Sequence, residues 1–236
     1  EAATHHVSLV GQYQHLGGLL HHGGDHRQEM RRRVAISNTA FNTHRKVIYQ
    51  NQATSLQKRV QLFNTLIMSK MTYGCESWVF REKKAKEYLH AAIMKLYRRL
   101  LGCKPDDHHT DDWVLKAVSL PSPTELMRQA RLRYLGTRHS CADVVTWDLL
   151  NRDEEWCALV KDDLAWMWRQ LSNSSSLPPP DQNLDAWRYL WLYHRPYWKG
   201  LIKRAIQHAI LQRHNEWVIQ SGHQSILDCL YEIGRA

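Results

Sequence analysis

Apolar residues in this 236-residue chain recur at every third or fourth position through one segment after another, a period that helices packed on each other satisfy. After Asp25, which reads as an N-cap, Met30, Val34, Phe41 and Ile48 fall within about 40° of one another at 100° per residue, while Arg32 and Lys46 face away. Thr54 or Ser55 opens a second helix with the stripe Leu56, Val60, Phe63 and Ile67, closing near Gly74. A third runs from about Glu82 to Leu101 with Leu89, Ile93, Leu96 and Leu100 on one face, and Gly102 and Pro105 stop it. Thr110 caps a short helix to Val118, which Pro121 ends. Ser122 and Glu125 then form a capping box, with Pro123 at the first helical position, and the helix they open carries Arg128, Arg131 and Arg133 on its surface. Successive amphipathic helices predict a bundle.

The two ends read differently. Alternating runs at His6 to Val10 and Gln12 to Leu20, broken by Gly11 and closed by Gly23 and Gly24, predict two strands. Beyond Cys141 the pattern is helical, acidic and Trp-rich until Ser172 to Asp181 (SNSSSLPPPD), an extended linker or loop. The tail from Leu184 holds Trp187, Trp191, Tyr197 and Trp198, then a helix with Ile202, Ile206 and Ile210 inside and Lys199, Lys203, Arg204 and Arg213 outside, a second and smaller basic element. The expected class is mainly α: a short N-terminal hairpin over residues 1–24, a helical bundle over 25–140, and a second Trp-rich helical layer over 141–236. Because the chain starts without an initiator Met and enters a patterned segment at once, it is expected to be truncated.

Several function classes find no support. No apolar run of about 18 residues exists, and the first residues lack the sections of a secretory signal, so an intracellular, nuclear or cytoplasmic protein with no membrane partner is expected. Five cysteines, spread widely and without a C-x-x-C pair, signal neither a disulfide framework nor a zinc ribbon. Cys103, His108 and His109 come nearest to a metal group but lack any zinc-family spacing. Asp106 with Asp107, Asp111 with Asp112, and Asp162 with Asp163 lie in a loop, a first helical turn and a helix interior, not on the strand-turn-strand that two-metal phosphoryl transfer needs. No metal ligand, cofactor or catalytic residue is therefore assigned. No nucleophile elbow, phosphate-binding glycine loop or H-E-x-x-H is present.

Charge is more informative. The formal net charge is +9, but Asp25 to Leu101 holds 16 Lys and Arg against 5 Asp and Glu, or +11, leaving −2 for the rest. A concentrated cationic surface binds polyphosphate through counterion release. Tyr13 and Tyr97 sit beside this segment as candidates for base stacking, whereas Trp156, Trp166 and Trp187 fit packing stripes.

Four segments, in order, resemble the reverse transcriptase of non-LTR (LINE-type) retrotransposons. QYQHLGGLL is similar to the Y-L-G segment after that family's catalytic aspartates, with Tyr13, Leu16 and Gly17 in motif positions and His15 in a variable one. Lys58 to Trp78 resembles the thumb segment ending Y-G-x-E-x-W, here Tyr73, Gly74, Glu76 and Trp78. LHAAIMKLYRRLLG and SPTELMRQARLRYLG look like its continuation, ending R-L-R-x-L-G at Arg131 to Gly136. The resemblance covers about Gln12 to Ser140.

The resemblance implies the end of a palm with its primer-gripping hairpin, then a thumb, without fingers, most of the palm or the Mg-binding aspartates. Such a chain is expected to be inactive alone and to bind an RNA template and the RNA–DNA template-primer duplex, the missing fingers and palm being its other partners. The expected phosphate contacts are Arg27, Arg31, Arg32, Arg33, Arg45, Lys46, Lys58, Arg59, Arg98 and Arg99. Two rival readings are a helical protein-interaction module left from a decayed element, and a helix-turn-helix around Pro121 whose Arg128, Arg131 and Arg133 read bases.

Overall fold

Alternation gives way to helix at Asp25 in the chain itself, as the pattern requires. The computed structural model describes residues 10–15, 17–21, 25–51, 53–80, 82–138, 152–172 and 176–220, and they form a mainly α protein with an N-terminal two-stranded hairpin. The chain divides into two compact units, one comprising Glu1–Gly74 and Trp78–Ala92, the other Cys75–Ser77 and Ile93–Ala236. Among the described residues no helix is long and apolar enough to cross a membrane.

The first unit starts with β1 (Gln12–His15) and β2 (Gly18–His21), antiparallel, with Gln12 opposite His21 and His15 opposite Gly18. The run from Gln12 to Leu20, expected as one strand, thus folds back on itself. Gly17 sits in the turn at φ +82°, a conformation that costs glycine nothing. Leu16, Gly23, Gly24 and the expected strand up to residue 9 lie outside the described residues.

Helix α1 (Arg27–His44) runs on into a π-helical turn, Arg45–Tyr49. Met30, Val34 and Phe41 are buried as the stripe predicts, but the buried residue after them is Tyr49 and not Ile48. The wider turn inserts one residue into the 3.6-residue period and so rotates every later position. Tyr49 stacks on Phe41 with centroids 4.5 Å apart, and Phe63 meets both rings edge-on at 6.1 and 6.2 Å. Phe63 belongs to α2 (Leu56–Phe63), which Ser55 caps by accepting from the Lys58 N–H and which continues through a second π turn, Asn64–Met68, to Met71.

Helix α3 (Lys83–Leu101) passes from the first unit into the second, and Leu89, Ile93, Leu96 and Leu100 are all buried. Gly102 at φ +80° ends it. In the second unit, Thr110 caps α4 (Asp111–Val118). The capping box on α5 (Pro123–Arg138) is reciprocal: the Ser122 N–H donates to Glu125 Oε2 at 2.8 Å and the Glu125 N–H to Ser122 Oγ at 3.3 Å. Among the described residues the second unit continues with helices α6 (Glu154–Leu171), α7 (Leu184–Tyr193) and α8 (Arg195–Gln220).

Tryptophan holds these helices through both of its properties. Trp187, Trp191 and Trp198 form an edge-on cluster, while indole N–H groups reach backbone carbonyls that no helix satisfies internally or that lie in loops: Trp156 to Glu76, Trp168 to Leu177 and Trp187 to Pro178, all within 3.1 Å. The proline segment is thereby fastened at Leu177 and Pro178. Trp198 also donates to the Leu132 carbonyl at 2.9 Å and packs against Gly136, where an added Cβ would come within 2.4 Å of its ring. The last position of the R-L-R-x-L-G segment is glycine because α5 and α8 meet there with no room for a side chain. Gly136→Ala is expected to lower the stability of this unit by about 1 to 3 kcal/mol through overpacking, read by chemical denaturation.

Arg131, expected on the surface of α5, is buried. It makes a bidentate pair with Asp163 of α6 at 2.6 and 2.9 Å, both side chains nearly inaccessible. Burial also governs Cys75, whose thiol is pushed up to about 12 by desolvation, first, and by the charge of Glu76. Alkylation of the folded chain at mildly alkaline pH should accordingly spare Cys75 while labelling the half-buried Cys103 and Cys157, as peptide mapping would read.

Candidate nucleic-acid interface

The hairpin is fixed to α1 through one buried carboxylate. Glu29 accepts from the Leu19 N–H at 2.9 Å, from Arg32 at 3.3 Å and from Arg33, and both arginines in turn donate to the Gly17 carbonyl. Arg33, 7% exposed, also covers the Tyr73 ring at 4.3 Å. As an expected phosphate contact Arg33 is therefore corrected: its guanidinium holds the hairpin turn and does not face solvent. Arg32 shares that work from a half-buried position. Tyr13 stands exposed on β1, whereas the backbone alone of His15 is described and Leu16 lies outside the described residues.

The remaining expected cations divide by what they touch. Arg27 is exposed but bridges Asp25 at 2.8 Å and Glu82 at 3.0 Å, and its backbone N–H, ahead of its guanidinium, holds the Asp25 carboxyl below the usual range. Arg59 is half-buried and donates to the Tyr49 carbonyl at 3.0 Å. In the second unit Arg98 pairs with Asp111 at 2.6 Å and donates to the His109 carbonyl, and Arg99 is half-buried. Tyr97, expected as a stacking surface, is instead fully buried, with its hydroxyl donating to the Pro121 carbonyl at 2.9 Å.

Arg31, Arg45, Lys46 and Lys58 are different, being exposed and forming no ion pair among the described residues. Arg45 is flanked by the Gln50 amide, which accepts from its Nε and Nη2 at 3.0 Å when the amide oxygen faces it. On α1 the solvent side carries Arg31, Ala35, Thr39, Asn42, Thr43 and, in the π turn, Arg45 and Lys46, and all seven are exposed. At a rise of about 1.5 Å per residue this face is roughly 20 Å long. The one carboxylate of α1, Glu29, is buried. More broadly, Met30 to Cys75 contains eight Lys and Arg and no Asp or Glu. That gap is readable in the sequence, and it marks the surface better than net charge does. Such a face offers charge together with short hydroxyl and amide donors, the set that contacts phosphate and sugar without reading bases.

Five of the six paired aspartates are held by cations or by backbone. Asp111 and Asp112 pair with Arg98 and Lys116, Asp162 with Arg128, Asp163 with Arg131, and Asp107 accepts from the Lys104 N–H. The ligand atoms of Cys103, Asp107 and His109 lie within 4.8 Å of one another, so Asp107 and not His108 completes the nearest metal-like group. His109 there is stacked on Trp113 at 3.6 Å, and Arg98 donates to its carbonyl, a positive neighbour that disfavours a cation. Burial of Arg131 likewise removes one of the three residues that a helix-turn-helix around Pro121 was expected to use.

Over 175 residues, the chain is 25% identical to F52C9.6, an uncharacterized transposon-derived protein of Caenorhabditis elegans; the match takes in 72% of this chain and 57% of that protein. No family model and no solved structure matches the chain.

Proposed function

We propose that this chain derives from a transposable element of the non-LTR type and that its first unit grips the RNA–DNA template-primer duplex of a reverse transcriptase, as a thumb does. The observation that carries this reading is the acid-free solvent face of α1 and its π turn, with Arg31, Arg45 and Lys46 exposed and Lys58 exposed on α2. An A-like hybrid presents phosphates and 2′-hydroxyls across a shallow minor groove, and a helix face of cations, Thr and Asn is matched to those groups. The Gln12 to Gly136 motifs and the transposon-derived relative support the same origin. The chain's part is positional: in the family it resembles the catalytic aspartates precede the Y-L-G segment, and Mg-dependent polymerisation belongs to the palm of the parent enzyme.

Backbone recognition ignores sequence, which gives the test. Short RNA–DNA hybrids of unrelated sequence should compete equally for the full chain in a fluorescence anisotropy titration. A sequence reader would separate them by more than about tenfold, since each wrong base pair costs roughly 1 to 3 kcal/mol, and that result would reject the reading.

A further inference from the structure

The second unit carries a surface that the thumb reading does not use. Tyr189, Tyr193 and Tyr197, 54%, 70% and 48% exposed, fall within nine residues at the corner between α7 and α8. Trp187 and Trp191 turn the other face of α7 into the core, so Tyr189 and Tyr193 occupy its solvent side through helical phase, and Tyr197 is exposed in the first turn of α8. Tyr189 lies 5.0 Å from the His194 ring and 5.2 Å from the Tyr193 ring, and the Arg204 guanidinium covers Tyr197 at 5.7 Å.

The charge around these rings is mainly positive, with the exposed Asp185 one helical turn before Tyr189. Ala186 to Asn215 contains six Lys and Arg and no Asp or Glu. Arg188, Lys199, Lys203 and Arg204 are exposed and form no ion pair among the described residues. Exposed tyrosines have a cost in solubility that a core position would avoid, and here they are clustered rather than scattered. Aromatic faces set among cations suit one ligand class: an unpaired strand whose bases stack on the rings while its phosphates meet Lys and Arg. A duplex keeps its bases stacked on each other and offers no free faces.

We infer that the α7–α8 corner is a binding site for single-stranded nucleic acid, in which Tyr189, Tyr193 and Tyr197 stack bases and Lys199, Lys203 and Arg204 hold the backbone. The inference stands on its own residues and does not require the thumb reading.

The experiment titrates the full chain into fluorescein-labelled oligo(U) and oligo(dT), with an RNA–DNA hybrid as a third probe. Tyr189→Ala/Tyr193→Ala/Tyr197→Ala should weaken single-strand binding on the order of 100-fold, while Tyr→Phe at all three positions keeps it, because the ring and not the hydroxyl does the stacking. Affinity for the hybrid should be unchanged in both. Either strand type supports the site, and the ratio of the two affinities says which it prefers. Single-strand affinity that survives the triple Ala variant overturns the inference. So does a wild-type chain that ignores both oligonucleotides but self-associates in sedimentation through these tyrosines. Tyr193→Ala alone, at the most exposed ring, gives the same readout should the triple variant fold poorly.

Discussion

Replacing Asp163 by Ala is expected to lower the unfolding free energy of the second unit by about 3 to 5 kcal/mol, the loss typical of leaving one buried charge without its partner. Asp163 is fully buried, and its two oxygens take both arms of the Arg131 guanidinium, itself 6% exposed. Arg128 adds a longer contact at 3.8 Å. Without the carboxylate, Arg131 must either stay desolvated and unpaired or pull the α5–α6 contact open. Removing both charges together, as Arg131→Met with Asp163→Leu, should restore most of the stability, because no unpaired group then remains. Urea titration reads both variants. A loss below about 1 kcal/mol for Asp163→Ala would mean that the pair behaves as a solvated surface contact.

The second large effect concerns binding. Arg31, Arg45, Lys46 and Lys58 are exposed, so changing all four to Ala should leave stability nearly intact, each within about 0.5 kcal/mol. Each cation on a phosphate contributes close to one power of salt concentration, so losing four should weaken hybrid binding on the order of 10³-fold at 0.1 M salt. Arg33 makes a useful contrast. It belongs to the same basic cluster in sequence, yet it clamps the Gly17 turn through Glu29, so Arg33→Ala should act on stability before binding.

Those contrasts show what a linear reading reaches. The stripe Leu89, Ile93, Leu96 and Leu100 was legible because nothing interrupts its period, and the capping box at Ser122 because both partners lie three residues apart. Tyr49 in place of Ile48 was not, since a π turn has no signature in apolar spacing and shifts the phase of all that follows. Gln12 to Leu20 was drawn as one strand although its Gly17-Gly18 pair is itself a turn signal, and the chain reverses there.

The candidate site divides along the same line. The exposure of Lys46 follows from helical phase, but Arg32, which the same phase turns outward, is half-buried against the hairpin, and the engagement of Arg33 with the hairpin and of Arg131 with Asp163 spans 16 and 32 residues and exists only after folding. Arginine in particular can be read as a surface residue and still be buried, because a bidentate carboxylate compensates its charge. Tyr97 fails in the opposite direction, as its position beside a basic run says nothing of the Pro121 carbonyl that receives its hydroxyl in the core.

The claim that the first unit holds nucleic acid by its phosphates rests on four exposed cations, and the salt dependence of hybrid affinity tests it most directly. Log affinity against log salt should fall linearly for the wild-type chain and should become shallower by about 3 to 4 when Arg31, Arg45, Lys46 and Lys58 are replaced by Ala. Parallel lines for the two proteins would contradict the account, because the counterions released on binding would then be displaced by some other surface.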